Sequence, residues 1–209
     1  MKIAVISEVS AGDKNSFIVN ALAKTENEIF NVGMETGEGY PVLTYIHTGL
    51  MAGILLNLGA VDFVIGGCGT GEGFLISAMQ YPNVFCGLIT EPLDAFLFGQ
   101  INGGNCISLA LNKGFGWAGD VNLEYVFEKL MSAEFGKGYP ESRKASQQAS
   151  RRTLMGISKA THKSFIEILS TIDKELVETA MKSVRFKQAI LGECKDKVLQ
   201  QYIIKEFIK

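Results

Sequence analysis

The stretch Val61-Asp62-Phe63-Val64-Ile65-Gly66-Gly67-Cys68-Gly69-Thr70-Gly71-Glu72-Gly73-Phe74-Leu75-Ile76 passes from an apolar run into a cluster of glycines and out into a second apolar segment. Val61 to Gly66 reads as a buried strand, because it is short and nearly continuous in apolar residues. Glycines at 66, 67, 69, 71 and 73 let a backbone approach a ligand closely and turn N–H groups inward, with a helix N-terminus behind them adding positive potential. That pattern fits an anion cradle or a tight turn. It is not a Walker loop, since Lys and Ser/Thr do not follow the last glycine. A dinucleotide fingerprint normally follows the first strand, whereas this loop follows the third. Cys68, set among N–H donors, is placed to act as base or nucleophile, the alternative being a small buried hydrophobe.

The same rhythm extends to both sides. Lys2 to Ser7, Glu28 to Val32, Val84 to Ile89 and Cys106 to Leu111 also read as buried strands. Helical spacing fills the gaps: Asn15 to Lys24, Tyr45 to Leu58 with Ile46, Leu50, Ile54 and Leu58 as one stripe, Pro92 to about Ile101, and Asn122 to Ala133. The alternation predicts an α/β fold, an open parallel five-stranded sheet with helices on both faces, like a Rossmann-like three-layer sandwich. Ligands bind such sheets at the carboxyl ends of the strands, so chemistry is expected in the loops after Ser7, Gly67, Ile89 and Leu111. Gly136 to Ser150 reads as a linker, and residues 153 to 208 as two or three amphipathic helices. The expected division is an α/β domain over 1–140 and a helical C-terminal extension over 141–209.

Composition narrows the function classes. The chain has 209 residues, 47% of them hydrophobic, enough for a core of ordinary size. No apolar run reaches the roughly 18 residues of a membrane span, and Glu8 interrupts the apolar start in a way a signal peptide does not. A cytoplasmic protein without a membrane partner is expected. Cys68, Cys86, Cys106 and Cys194 show no C-x-x-C spacing, so free thiols are expected rather than disulfides or a metal site. With a pI near 5.8 and no basic-aromatic patch, nucleic acid is a poor candidate partner. Residues 1–140 carry 6 Lys+Arg against 14 Asp+Glu, while 141–209 carry 14 against 8, consistent with the net −2. No arginine precedes Arg143. A guanidinium gripping an anion must therefore come from the C-terminal third, of this subunit or of another.

The run from Val61 to Gly73, with Thr90-Glu91-Pro92, Asn102, Asn105, Tyr45, His47 and Glu8, resembles the type B ribose-5-phosphate isomerase and galactose-6-phosphate isomerase family over about residues 1–143. The resemblance implies metal-free, cofactor-free isomerisation of a phosphorylated aldose and ketose through a cis-enediolate. It implies Cys68 as the base, with Glu72, where other members carry a glutamate base, as the alternative. Glu8 matches the acid that moves protons between the sugar oxygens, and Asn102 matches the asparagine that, with backbone N–H groups of Gly67, Gly69, Gly71 and Gly73, stabilises the enediolate oxygen. Thr70 belongs to the same cradle. Arg143 matches an arginine that reaches the phosphate, commonly from the partner subunit.

The chain departs from that pattern at four positions. Ile101 stands where the family has its ring-opening histidine, for which His47 is a substitute candidate, and Val9 where a histidine follows the first acid. Thr48 falls at a phosphate-binding tyrosine and Tyr139 at a first arginine, while Lys113 is a second possible anion contact. The implied partners are a phosphorylated sugar and further copies of the chain, in a homodimer or homotetramer with interface active sites. A non-catalytic sugar-phosphate-binding protein on the same fold is the competing expectation.

Overall fold

Five apolar segments pair in parallel across the middle of the protein, which is described by a computed structural model over residues 1–36 and 41–208. They are β1 (Lys2–Ser7), β2 (Glu28–Asn31), β3 (Phe63–Cys68), β4 (Cys86–Ile89) and β5 (Cys106–Ala110), in the order β2-β1-β3-β5-β4. Alternate residues of each strand enter opposite layers, as the strand period of two requires. Ile3, Val5, Phe63 and Ile65 pack with α1 (Asn15–Leu22), α4 (Pro92–Leu97) and α5 (Gly119–Leu130). Ala4, Ile6 and Val64 face α2 (Tyr45–Leu58) and α3 (Glu72–Ala78) on the other side. Both faces are thus covered, which is why the strands read as continuous apolar runs rather than alternating ones.

Two elements differ from the sequence reading in ways that bear on the site. β3 runs two residues further than Val61–Gly66 suggested. Gly66 and Gly67 pair with Ile6 and Ser7 of β1 and with Ser108 and Leu109 of β5, so Cys68 is the last strand residue rather than a loop residue. α2 is buried on nearly every side from Thr48 to Leu55, whereas Ile46 of the expected stripe is 40% exposed. A helix apolar all round needs cover all round. The C-terminal segment supplies it.

That segment is α6 (Lys144–Thr161), α7 (Phe165–Thr171), α8 (Lys174–Met181), α9 (Val184–Leu191) and α10 (Lys197–Phe207), five helices among the described residues rather than two or three. α6 begins inside the expected linker. The other four are cut apart by side-chain N-caps at Ser164, Asp173, Ser183 and Asp196, each accepting a hydrogen bond from a first-turn N–H. Val177, Ala180, Met181, Phe186, Ile190, Leu199 and Ile203 join Leu50, Ile54 and Phe74 in one core layer. None of the helices described is long and apolar enough to cross a membrane.

Candidate active site

β1 and β3 lie side by side while their following connections depart to opposite sides of the sheet, which makes their carboxyl ends the topological switch point. Glu8 follows the last residue of β1, and Cys68 is the last residue of β3. Both are buried, at 3% and 6% exposure. Glu8 Oε1 accepts from the Ser10 N–H at 3.0 Å and from the Ser10 hydroxyl. Ser10 Oγ in turn accepts from the Gly69 N–H at 2.9 Å, which ties the acid to the residue after the thiol. Asn112, just past β5, closes the arrangement: its N–H donates to Gly69 O at 2.9 Å and its side-chain Nδ2 to Ser10 O at 2.6 Å.

Thr70 stands beside the thiol, its Oγ1 3.8 Å from Cys68 Sγ, and accepts from the Glu72 N–H at 3.3 Å. Glu72 opens α3 and is exposed. The glycines divide by role. A Cβ on Gly66 would lie 2.1 Å from the Phe74 ring, and one on Gly67 would lie 2.5 Å from Leu109 O, so these two are required by packing inside the sheet. Gly71 holds φ +80° as the N-cap of α3. Gly69 is the glycine at the surface of the switch point, and its N–H is engaged by Ser10 rather than turned to open solvent.

Further expected residues gather at this edge. Lys113 is exposed next to Asn112. His47 sits in the first turn of α2, close to β1 through the bond from the Val9 N–H to Leu43 O, 2.8 Å. Its Nδ1 accepts the Thr44 N–H at 3.1 Å, so the imidazole completes a capping box. Burial, then the charge of Lys182, holds its pKa below the usual histidine value. Thr48 is fully buried and its hydroxyl lies 3.3 Å from the Thr44 and Tyr45 carbonyls of its own helix. That makes it a packing residue, not one presented to a ligand.

Asn102 and Arg143 are elsewhere. Asn102 ends the π-helical turn Phe98–Asn102 after α4 and precedes β5, at the amino edge of the sheet. Cys68 pairs with Ala110 at the far end of β5. The strand between Cys106 and Ala110 alone spans about 13 Å at a rise of ~3.3 Å per residue. Arg143 lies toward Asn102: the Gly136 and Gly138 N–H groups donate to Gly99 and Gln100 O at 2.7 and 2.8 Å, and Gly138 packs on Lys144, the residue after Arg143. Arg151 of α6 reinforces this edge by donating to Gly103 O at 2.9 Å and Gly136 O at 3.3 Å. Sequence reading singled out neither Ser10, Asn112 nor Arg151. Only Ser10 carried a local signal, a serine two residues after a strand-terminal acid, which is a common self-bonding turn.

The matches to known proteins follow this geometry. A model of the ribose/galactose isomerase family matches residues 3–147, and one described as ribose-5-phosphate isomerase matches 160–206. A ribose-5-phosphate isomerase from Vibrio parahaemolyticus is 47% identical, with a TM-score of 0.94 over 98% of each chain. A 4-deoxy-L-threo-5-hexosulose-uronate ketol-isomerase, solved with a tartrate, is 38% identical, again with a TM-score of 0.94 over 98% of each chain. The type B ribose 5-phosphate isomerase of Leishmania infantum shares the fold at 16% identity and a TM-score of 0.62, over 77% of this chain and 98% of its own. Among curated proteins, none matches.

Proposed function

Because the chain belongs to the ribose/galactose isomerase family and is a sugar isomerase, we propose that it interconverts the aldose and ketose forms of a phosphorylated pentose or hexose, with Cys68 as the base. The observation that carries this is the placement of Cys68 and Glu8 on adjacent strand ends, joined through Gly69 and Ser10. A thiolate at Cys68 takes the C2 proton of an open-chain aldose, and the electron pair moves through C1=C2 to leave charge on O1. Glu8 moves the hydroxyl proton from O2 to O1, and Cys68 returns its proton to C1. Thr70 is adjacent to the reacting centre. Glu72 is exposed at the start of α3, whereas Cys68 is buried at a strand end adjacent to that of Glu8, which favours Cys68.

Asn102 and Arg143 enter the site from a second copy. At the amino edge of their own sheet they are a strand length from Cys68, and a symmetric pairing that brings this edge of one protomer to the carboxyl edge of its partner supplies both. α6, which borders Asn102, presents Leu154, Met155 and Ile157 at 51, 57 and 50% exposure, the apolar surface such a homodimer or tetramer would cover. Partner-supplied Arg143, with Lys113, would hold the phosphate. A cytoplasmic setting is part of the same reading.

A second reading has its own support. The positions that in the family hold phosphate or open the ring are here a buried Thr48, Tyr139 and Ile101, and the relative solved with a tartrate acts on a uronate. In this reading the anion gripped is a sugar carboxylate and the substrate is an open keto sugar that needs no ring opening. A panel of pentose phosphates, hexose phosphates and deoxy-hexosulose uronates, incubated in deuterated water and followed by NMR, separates the two. Turnover confined to uronates excludes the phosphate reading, and turnover of any sugar phosphate supports it.

A further inference from the structure

Glu8 is sealed from the surface at 3% exposure, while Ser10, which covers it, is exposed. An acid that moves protons between two substrate oxygens must reach them, and Glu8 reaches the surface of the switch point through Ser10. We propose that Ser10 is the proton relay of this enzyme, the group that touches the substrate oxygens while Glu8 stores the proton behind it. The inference rests on the isomerase reading and adds to it a residue to which the resemblance gives no role.

The direction of the hydrogen bonds supports the assignment. A serine hydroxyl has one proton and two lone pairs. The Gly69 N–H can only donate, so it takes one lone pair of Ser10 Oγ. The hydroxyl proton therefore goes to Glu8 Oε1, where the Ser10 N–H also donates. One lone pair remains for a substrate hydroxyl. When Cys68 removes the C2 proton, O2–H gives its proton to Ser10 Oγ as Oγ–H passes its own to Glu8, leaving a neutral carboxyl. The reverse transfer, Glu8 to Oγ and Oγ to O1, moves the enediolate charge from O1 to O2. Reprotonation of C1 by Cys68 then leaves Ser10 and Glu8 as they began, with no net gain or loss of protons.

The geometry also fixes Ser10 in place. Asn112 Nδ2 holds its carbonyl at 2.6 Å, so the relay, the Gly69 N–H and the thiol move as one body. Gly69 follows Cys68 in the chain, so the hydrogen bond from its N–H holds Ser10 Oγ against the residue next to the thiol.

The test is a pair of near-isosteric variants, Ser10→Thr, which keeps the hydroxyl, and Ser10→Val, which lacks it. Melting temperatures establish that both fold. With a substrate the wild-type enzyme isomerises, Ser10→Thr is expected to retain kcat within about fivefold, whereas Ser10→Val loses ~100-fold in kcat with little change in KM, the size of a lost proton-transfer group. Adding Glu8→Gln to Ser10→Val should cost no further activity, since both cut the same path. Equal kcat for the Thr and Val variants, a loss confined to KM, or multiplicative losses in the double variant would overturn the relay. A wild-type enzyme that isomerises no sugar overturns instead the reading on which the relay rests, and the two failures are thereby distinct.

Discussion

Gly71 takes φ +80°, and a Cβ there would stand 2.5 Å from Leu88 Cδ1. Gly71→Ala should therefore destabilise the protein by roughly 1–3 kcal/mol through strain and overpacking, read from urea unfolding. Gly69 has φ in the ordinary range and its nearest atoms, Ser10 Oγ and Asn112 Nδ2, are side-chain ends at 3.2 and 3.3 Å. Gly69→Ala should leave stability within about 1 kcal/mol of the wild type and instead lower kcat, by disturbing Ser10. The glycine cluster around Cys68 is a local signal and marked this loop in the sequence, whereas Glu8 entered only through the family resemblance. The division of labour among the glycines was not legible there. It depends on Phe74, Leu88 and Leu109, which come close only when the sheet and α3 are assembled. Thr48 misled for a similar reason, since nothing local distinguishes a presented hydroxyl from one turned onto its own helix.

As far as α5 the elements were read to within a few residues, with α2 matching its bounds, because the apolar pattern and the turn residues agreed; the C-terminal helices were undercounted. α2 illustrates what the pattern missed. Its four-residue stripe suggested one buried face, but α8, α9 and α10 cover the others, and that cover comes from the other end of the chain. The N-terminus of α2 carries a pH-dependent contact. His47 must be neutral for Nδ1 to accept the Thr44 N–H, and burial followed by Lys182 holds its pKa below 6.5. A histidine lowered on folding supports the fold fully above its unfolded value and loses that support as pH falls through the folded one. The melting temperature should thus drop between pH 7 and pH 5. His47→Gln, which can still accept the bond, should flatten that drop; an unchanged slope would show that other groups set it.

Across the whole molecule, the sheet order follows from the parallel topology, but the separation of Asn102 from Cys68 could not be seen in a linear sequence. Asn102 and Cys68 are 34 positions apart and at opposite edges of the sheet. If the site is completed by a second copy, mixing Cys68→Ala and Asn102→Ala protomers after unfolding and refolding together should restore about one quarter of wild-type activity. Half the dimers are then mixed, and each mixed dimer has one intact site of two. Met155→Lys, on the exposed apolar face of α6, should shift the enzyme toward monomer in sedimentation and reduce activity with it. The central claim, that Cys68 is the proton-transfer base, is tested most directly by deuterium exchange. In deuterated water with a turned-over sugar, Cys68→Ala should abolish incorporation at C1 and C2 while Glu72→Gln retains it. Persistent exchange in Cys68→Ala, with loss in Glu72→Gln, would contradict it.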